Sequence, residues 1–270
     1  MLLRYLLPAA CWFSIAPTLA LNLDDYELVD LSHPFNEETL YWPTSPSHFD
    51  KTTLANGPTA GGWFYSAFSV CMPEHGGTHL DAPRHFSAQG DTTAAIPLQR
   101  LVTPAVVIDV SDKASANRDY RLTVADITAF ETAHGPIPAG SAVLLHTGWS
   151  RFWPDAKTYL GDNTPGDASK LRFPSFGEAA VKRLVEERGV VSLGVDTASI
   201  DYGRSTDFMV HRIAAANNVV GLENLTGLAT LPATGVLLFA LPIKIEGGSG
   251  GPARVIALLP KSGFEPSGQE

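Results

Sequence analysis

Ala105-Val106-Val107-Ile108-Asp109-Val110 is a short, continuous apolar run rich in β-branched residues. Such a run reads as a strand buried on both faces, not one that alternates between core and solvent. The signal recurs at Ala142-Val143-Leu144-Leu145 and at Val190-Val191-Ser192-Leu193-Gly194-Val195-Asp196. Helical patterns lie between these strands. One begins at Thr123, carries Val124, Ile127 and Phe130 on a single face, and ends near Gly135. In another, Ser175 and Glu178 make a capping box, Phe176, Ala180, Val181 and Leu184 turn inward, and Gly189 ends the helix. Strands alternating with helices place the chain in the α/β class, as a single domain with a mixed β-sheet core flanked by helices.

The remaining segments fit around this core. Residues 26–32 open the domain as a strand, and Pro34, Pro43 and Pro46 keep the next stretch irregular. Residues 56–62 read as a turn that leads through Trp63-Phe64-Tyr65 into a strand-like run, Phe68-Ser69-Val70-Cys71-Met72. Three consecutive aromatics cannot share one face of a strand. Trp63 and Phe64 are therefore candidates to line an aromatic-substrate pocket, with core packing as the alternative use. Residues 151–174 read as a long loop, residues 235–245 as a strand, 247–252 as a sharp Gly-rich turn, and 254–259 as the last strand.

Composition bounds the function. The chain has 270 residues, 44% hydrophobic and 17% charged, with a formal net charge of -9 and no Lys/Arg block. A nucleic-acid partner is excluded on that ground, because a phosphate binder needs clustered positive charge. Residues 1–20 carry one charge, Arg4, an apolar run, and the small-residue site Thr18-Leu19-Ala20. They read as a secretory signal peptide, with the functional domain at 21–270 and a periplasmic or secreted location. No later segment is long and apolar enough to span a membrane. Cys11 leaves with the signal peptide, so Cys71 has no disulfide partner and reads as a small buried hydrophobe.

Chemistry concentrates in Glu74-His75-Gly76-Gly77-Thr78-His79-Leu80-Asp81-Ala82-Pro83-Arg84-His85-Phe86. Three of the chain's eight histidines fall here beside an aspartate, a donor set suited to a divalent ion such as Zn2+ or Mn2+. His75 and His79 have the spacing of a helical metal pair, but Gly76-Gly77 and Pro83 favour a tight loop. In extended backbone His79 and Asp81 point the same way and can share one ion. His85 reaches the same pocket from further along, where a general base would sit. The Gly-rich turn at 247–252 lacks the Lys and following helix of a phosphate loop, and no Gly-x-Ser-x-Gly elbow is present.

Residues 75–85 resemble the His-x-Gly-Thr-His-x-Asp-x-Pro-x-His signature of the metal-dependent cyclase-like hydrolase family, which includes bacterial kynurenine formamidase and isatin hydrolase. Asp30-Leu31-Ser32-His33, Tyr41-Trp42-Pro43 and Thr147-Gly148-Trp149 are also similar to the family. The resemblance implies a swivelling β/β/α fold. It also implies that a downstream His and a Glu twelve residues later complete the metal site, which here are His211 and Glu223. The implied ligand set is His75, His79, Asp81, His211 and Glu223, with Asp81 bridging if two ions bind. His33 is expected in a supporting role, and His146 outside the ligand set. The implied reaction is hydrolysis of a small aromatic amide by a metal-activated water, with His85 moving the proton. Gly76 at the variable position favours opening of an isatin-like cyclic amide to isatinate over arylformamidase activity on N-formylkynurenine. A non-catalytic metal- or ligand-binding protein on the same scaffold is the alternative of another class. Relatives of this kind are commonly homo-oligomers, so the resemblance implies at least a homodimer.

Overall fold

The computed structural model describes residues 22–261, so the expected signal peptide lies outside the described residues. In chain order the strands are β1 (Tyr26–Asp30), β2 (Asp50–Pro58), β3 (Phe64–Cys71), β4 (His79–Asp81), β5 (Val102–Asp109), β6 (Arg121–Leu122), β7 (Ala142–His146), β8 (Ser175–Phe176), β9 (Ser192–Val195), β10 (Val220–Glu223), β11 (Val236–Pro242) and β12 (Gly250–Pro260). The α-helices are α1 (Ser111–Ala116), α2 (Val124–His134), α3 (Ala156–Leu160), α4 (Glu178–Lys182) and α5 (Met209–Ala216).

Eight strands form one mixed sheet in the order β1-β12-β11-β5-β7-β9-β10-β4. Strands β5, β7, β9 and β10 run parallel, and the other pairings are antiparallel. The sheet curls until β4 meets β12, which closes it into a barrel-like core. One edge of β12 serves two partners. Gly250–Pro252 pair with β4, and Ile256–Pro260 pair with β1.

The apolar strands are buried on both faces, as their composition predicts. Ala105, Val107, Ala142 and Leu144 pack inside the barrel with Leu80, Leu222, Leu238 and Val255. Their neighbours Val106, Ile108, Val143 and Leu145 face Ile127 and Phe130 of α2, Ala180 and Val181 of α4, and Ile213 of α5. This alternation is the period-two geometry of a strand with apolar cover on each side. Helix α2 starts and stops where the sequence places it, with Thr123 as N-cap and Gly135 as C-cap.

Several local expectations fail for identifiable reasons. Ser175 does not cap a helix. It lies in β8, which pairs with β6, and its hydroxyl is taken by the carbonyls of Ser199 and Ile200, so α4 starts after Gly177 without a side-chain cap. Residues 151–174 are not all loop, because Asp155 caps α3 through the amides of Lys157 and Thr158. The turn expected at 56–62 is shorter, since β2 continues to Pro58. The Gly-rich turn ends early, since Gly250 already pairs with Asp81. Cys71 is exposed, because β2 and β3 form a separate hairpin whose strands pair only with each other among the described residues.

Candidate metal centre

The short strand β4 lies between β10 and β12, and its register brings Glu223 opposite His79. Leu80 points into the barrel core, so His79 and Asp81 share the other face. His75 approaches from the loop before β4. Gly76 in that loop has φ 143°, and a Cβ there would lie 2.1 Å from the Tyr41 ring. His211 is the third residue of α5. Phe208, at φ 51°, turns the chain into this helix, and the Asp201 carboxylate accepts from the amides of Val210 (3.2 Å) and His211 (3.0 Å).

The five residues implied as ligands come together. His75 Nδ1 is 2.6 Å and His79 Nε2 is 3.3 Å from Asp81 Oδ1, while His211 Nε2 is 3.2 Å from Asp81 Oδ2. Glu223 spans the same two rings, with Oε2 3.5 Å from His79 Nε2 and Oε1 3.2 Å from His211 Nε2. Each imidazole is anchored by its other nitrogen. His79 Nδ1 donates to the Gly77 carbonyl (2.9 Å), His211 Nδ1 to Asp201 (2.7 Å), and His75 Nε2 meets Ser249 Oγ (2.9 Å). Outward anchoring with inward nitrogens is the arrangement expected of metal-ligating histidines.

The electrostatics fit a cation at the same point. Burial opposes charge on His79, but the Asp81 and Glu223 carboxylates override it and lift the ring to about 9. Burial opposes charge on His211 too, and Asp201, Asp81 and Glu223 raise its pKa well above the ordinary histidine value. Asp81 is held well below the usual carboxylate range, since His75, His211 and His79 outweigh its burial. Two buried carboxylates thus require positive charge among three imidazoles, which a divalent ion supplies. His75, His79 and Asp81 offer donor atoms within 4.8 Å of one another, and so do Asp81, His85 and His211.

His85 follows Asp81 at the end of a 3₁₀ turn, Pro83–His85, and stacks on His75 with ring centroids 3.8 Å apart. It is open by area at the cavity mouth, yet crowding withdraws water from the ring. That desolvation, against the pull of Asp81 and reinforced by His75, His211 and His79, pushes its pKa down to about 4. His85 is therefore neutral near pH 7 and able to accept a proton. Its donor atom also lies within reach of Asp81 and His211, so the geometry admits it as a ligand too.

These residues line a cavity of about 280 Å³ whose walls are Leu40, Tyr41, Trp42, Phe86, Leu160 and Phe208. Trp63 and Phe64 are elsewhere. They are 63% and 68% exposed on the β2–β3 hairpin and do not line this cavity in the single chain, whose aromatic lining is Tyr41, Trp42, Phe86 and Phe208. His33 stacks on Trp153, and its amide donates to Thr78 Oγ1. His146 pairs with Asp109 at the ends of β7 and β5, outside the cavity lining. Sequence reasoning missed Asp201, Glu74 and Ser249 as partners of the ligands. Asp201 carried one signal, its place ten residues before His211 at the end of a polar turn.

Comparison with known proteins agrees with this geometry. Residues 29–202 match the family model described as Cyclase, putative cyclase. The chain is 35% identical over 205 residues to an isatin hydrolase of Roseibium aggregatum, covering 74% of this chain and 78% of that protein. It is 28% identical over 243 residues to a kynurenine formamidase of Salinibacter ruber, covering 85% and 96%. Among solved structures, isatin hydrolase A from Ralstonia solanacearum superposes with a TM-score of 0.78 at 35% identity, over 87% of this chain and 93% of that one.

Proposed function

The chain belongs to the putative cyclase family, and on that premise we propose that it opens a small cyclic amide by hydrolysis, with isatin converted to isatinate as the leading reaction. At the coarser level it is a metal-dependent hydrolase of C–N bonds. The observation that carries the choice of substrate is the cavity lining. It combines aromatic walls with the His/Asp/Glu cluster and, among the described residues, contains no Lys or Arg. A flat bicyclic amide suits that lining, whereas the amino-acid end of N-formylkynurenine would place a carboxylate away from the histidine cluster, against aromatic walls where no lysine or arginine answers it. Arylformamidase activity is the second reading, supported by the match to kynurenine formamidases along nearly their whole length.

A bound divalent ion would polarise the carbonyl and acidify a water. His75, His79, Asp81, His211 and Glu223 would hold it. We favour Mn2+ or Zn2+, since imidazole and carboxylate donors suit both. Asp81 directs Oδ1 toward His75 and His79 and Oδ2 toward His211, so it would be the shared ligand if two ions bind. Neutral His85 takes the proton as water adds to the amide carbonyl carbon. The C–N bond then breaks, and the same proton passes to the leaving ring nitrogen. Trp42, Phe86 and Phe208 position the ring and exclude bulk water.

The exposed apolar hairpin supports a homodimer, because an isolated two-stranded ribbon is marginal in water and large apolar patches mark interfaces. A monomeric mass in solution would refute that assembly. Export is proposed from the first twenty residues, and the mass of the native protein tests it. For the activity, the chelator-stripped protein is resupplied with Mn2+ or Zn2+, and isatin ring opening is followed beside N-formylkynurenine cleavage. Metal-restored turnover of isatin is the expected result. Turnover of formylkynurenine alone promotes the second reading, and silence on both with metal bound removes both substrates.

A further inference from the structure

The Gly-rich turn before β12, rejected above as a phosphate loop, sits against the ring of His75. Ser249 at its centre places Oγ 2.9 Å from His75 Nε2. The Glu74 carboxylate accepts from both the Ser249 hydroxyl (2.6 Å) and its amide (3.0 Å). An ionised carboxylate only accepts, so the Ser249 hydroxyl proton is committed to Glu74. Ser249 Oγ is then left to accept from His75 Nε2, while His75 Nδ1 faces the cluster, 2.6 Å from Asp81 Oδ1.

The turn is built to hold this position. The Ser249 carbonyl accepts from the amide of Ala82 (2.9 Å), and the Gly248 carbonyl from the amide of Thr93 (3.0 Å). A Cβ on Gly250 would lie 2.4 Å from His75 Cε1, and one on Gly248 would lie 3.0 Å from Glu74 Oε1. The backbone therefore approaches the imidazole and the carboxylate more closely than any other residue allows.

We infer that Glu74 and Ser249 are positioning residues that fix the tautomer and orientation of His75 for metal binding. They do for His75 what Asp201 does for His211 and the Gly77 carbonyl does for His79. The inference rests on the metal-dependent reading above. Residues behind a ligand of this kind contribute about 10–100-fold in metal affinity.

The test is competition of the chelator-stripped full chain against a metallochromic dye, with Zn2+ and with Mn2+. Ser249→Ala is expected to weaken binding by about 10–100-fold, and Ser249→Thr, which keeps the hydroxyl, to restore it to within about threefold. Glu74→Gln, whose amide can reverse the serine bond, is expected to fall between them. The melting temperature of each stripped variant reports whether it folds. If Ser249→Ala does not fold, imidazole 15N shifts of the Zn2+-loaded wild type decide, with a protonated Nε2 expected on His75. Equal affinity of wild type and Ser249→Ala, or a His75 protonated on Nδ1, overturns this inference alone. A wild type that binds neither metal overturns the hydrolase reading and this inference with it.

Discussion

At the scale of single residues, His85 separates two roles that the geometry allows. As the proton carrier, its replacement by alanine is expected to lower turnover by about 10²–10⁴-fold while bound metal, measured by elemental analysis, stays at the wild-type level. Loss of metal in His85→Ala would instead make it a ligand. Asp201 makes a different contribution, because it accepts from His211 Nδ1 and from two amides at the start of α5. Asp201→Ala is expected to weaken metal affinity by about 10–100-fold. It should also cost about 1 kcal/mol of stability through the lost cap, read as a shift in urea midpoint of the stripped protein. The ligands and their partners differ in how well they can be read. His79 and Asp81 are legible because both lie on one short strand and alternation alone puts them together. Ser249 is not, because nothing near it in sequence reveals that it meets His75, 174 residues away.

At the scale of elements, the one capping box expected from sequence, Ser175 with Glu178, does not form, while the helix expected to begin at Thr123 carries a box that was not foreseen. Thr123 and Asp126 bond each other reciprocally, with the Thr123 amide and hydroxyl donating to the carboxylate and the Asp126 amide donating to the hydroxyl. Ser175 is drawn into β8, and its hydroxyl turns to Ser199 and Ile200, partners brought by a distant strand end. Asp126 also accepts from Tyr120 and Lys113. Burial raises its pKa, but Lys113, Thr123 and Tyr120 outweigh this and hold it at about 2, against an ordinary 3.8. A carboxylate with a depressed pKa stabilises the fold above its unfolded value and loses that contribution as pH falls through the folded one. Asp126→Ala is therefore expected to lower unfolding free energy by about 1–2 kcal/mol near neutral pH. The gap from wild type should narrow from about pH 4 to pH 2 in urea titrations. A gap unchanged across that range would show that the ionised carboxylate is not the source. The doubly buried strands were legible because β-branched composition records burial on both faces. Closure of the barrel was not, since Gly250–Pro252 carries no strand propensity and pairs only because β4 is there to meet it.

At the scale of the molecule, the candidate centre ties together a loop, β4, α5 and β10, so ligand occupancy should stabilise the whole fold. With metal at about 100 times its Kd, the expected gain is about 2.7 kcal/mol. Chelation is then expected to lower Tm by about 5–10 °C for a domain of this size. A melting curve indifferent to chelator would mean that the folded and unfolded chains bind the ion equally or not at all. The closing of β4 between β10 and β12 has a consequence for biosynthesis. His75, His79 and Asp81 are made early, yet the strands that frame them come late, β10 at Val220–Glu223 and β12 at Gly250–Pro260, with Gly250 following Asp81 by 169 residues. A nascent chain cannot complete the centre until nearly all of it has been synthesised. Acquisition of the ion is therefore expected late in synthesis or after it, and an exported chain would load it in the compartment where it folds, not in the one where it is made.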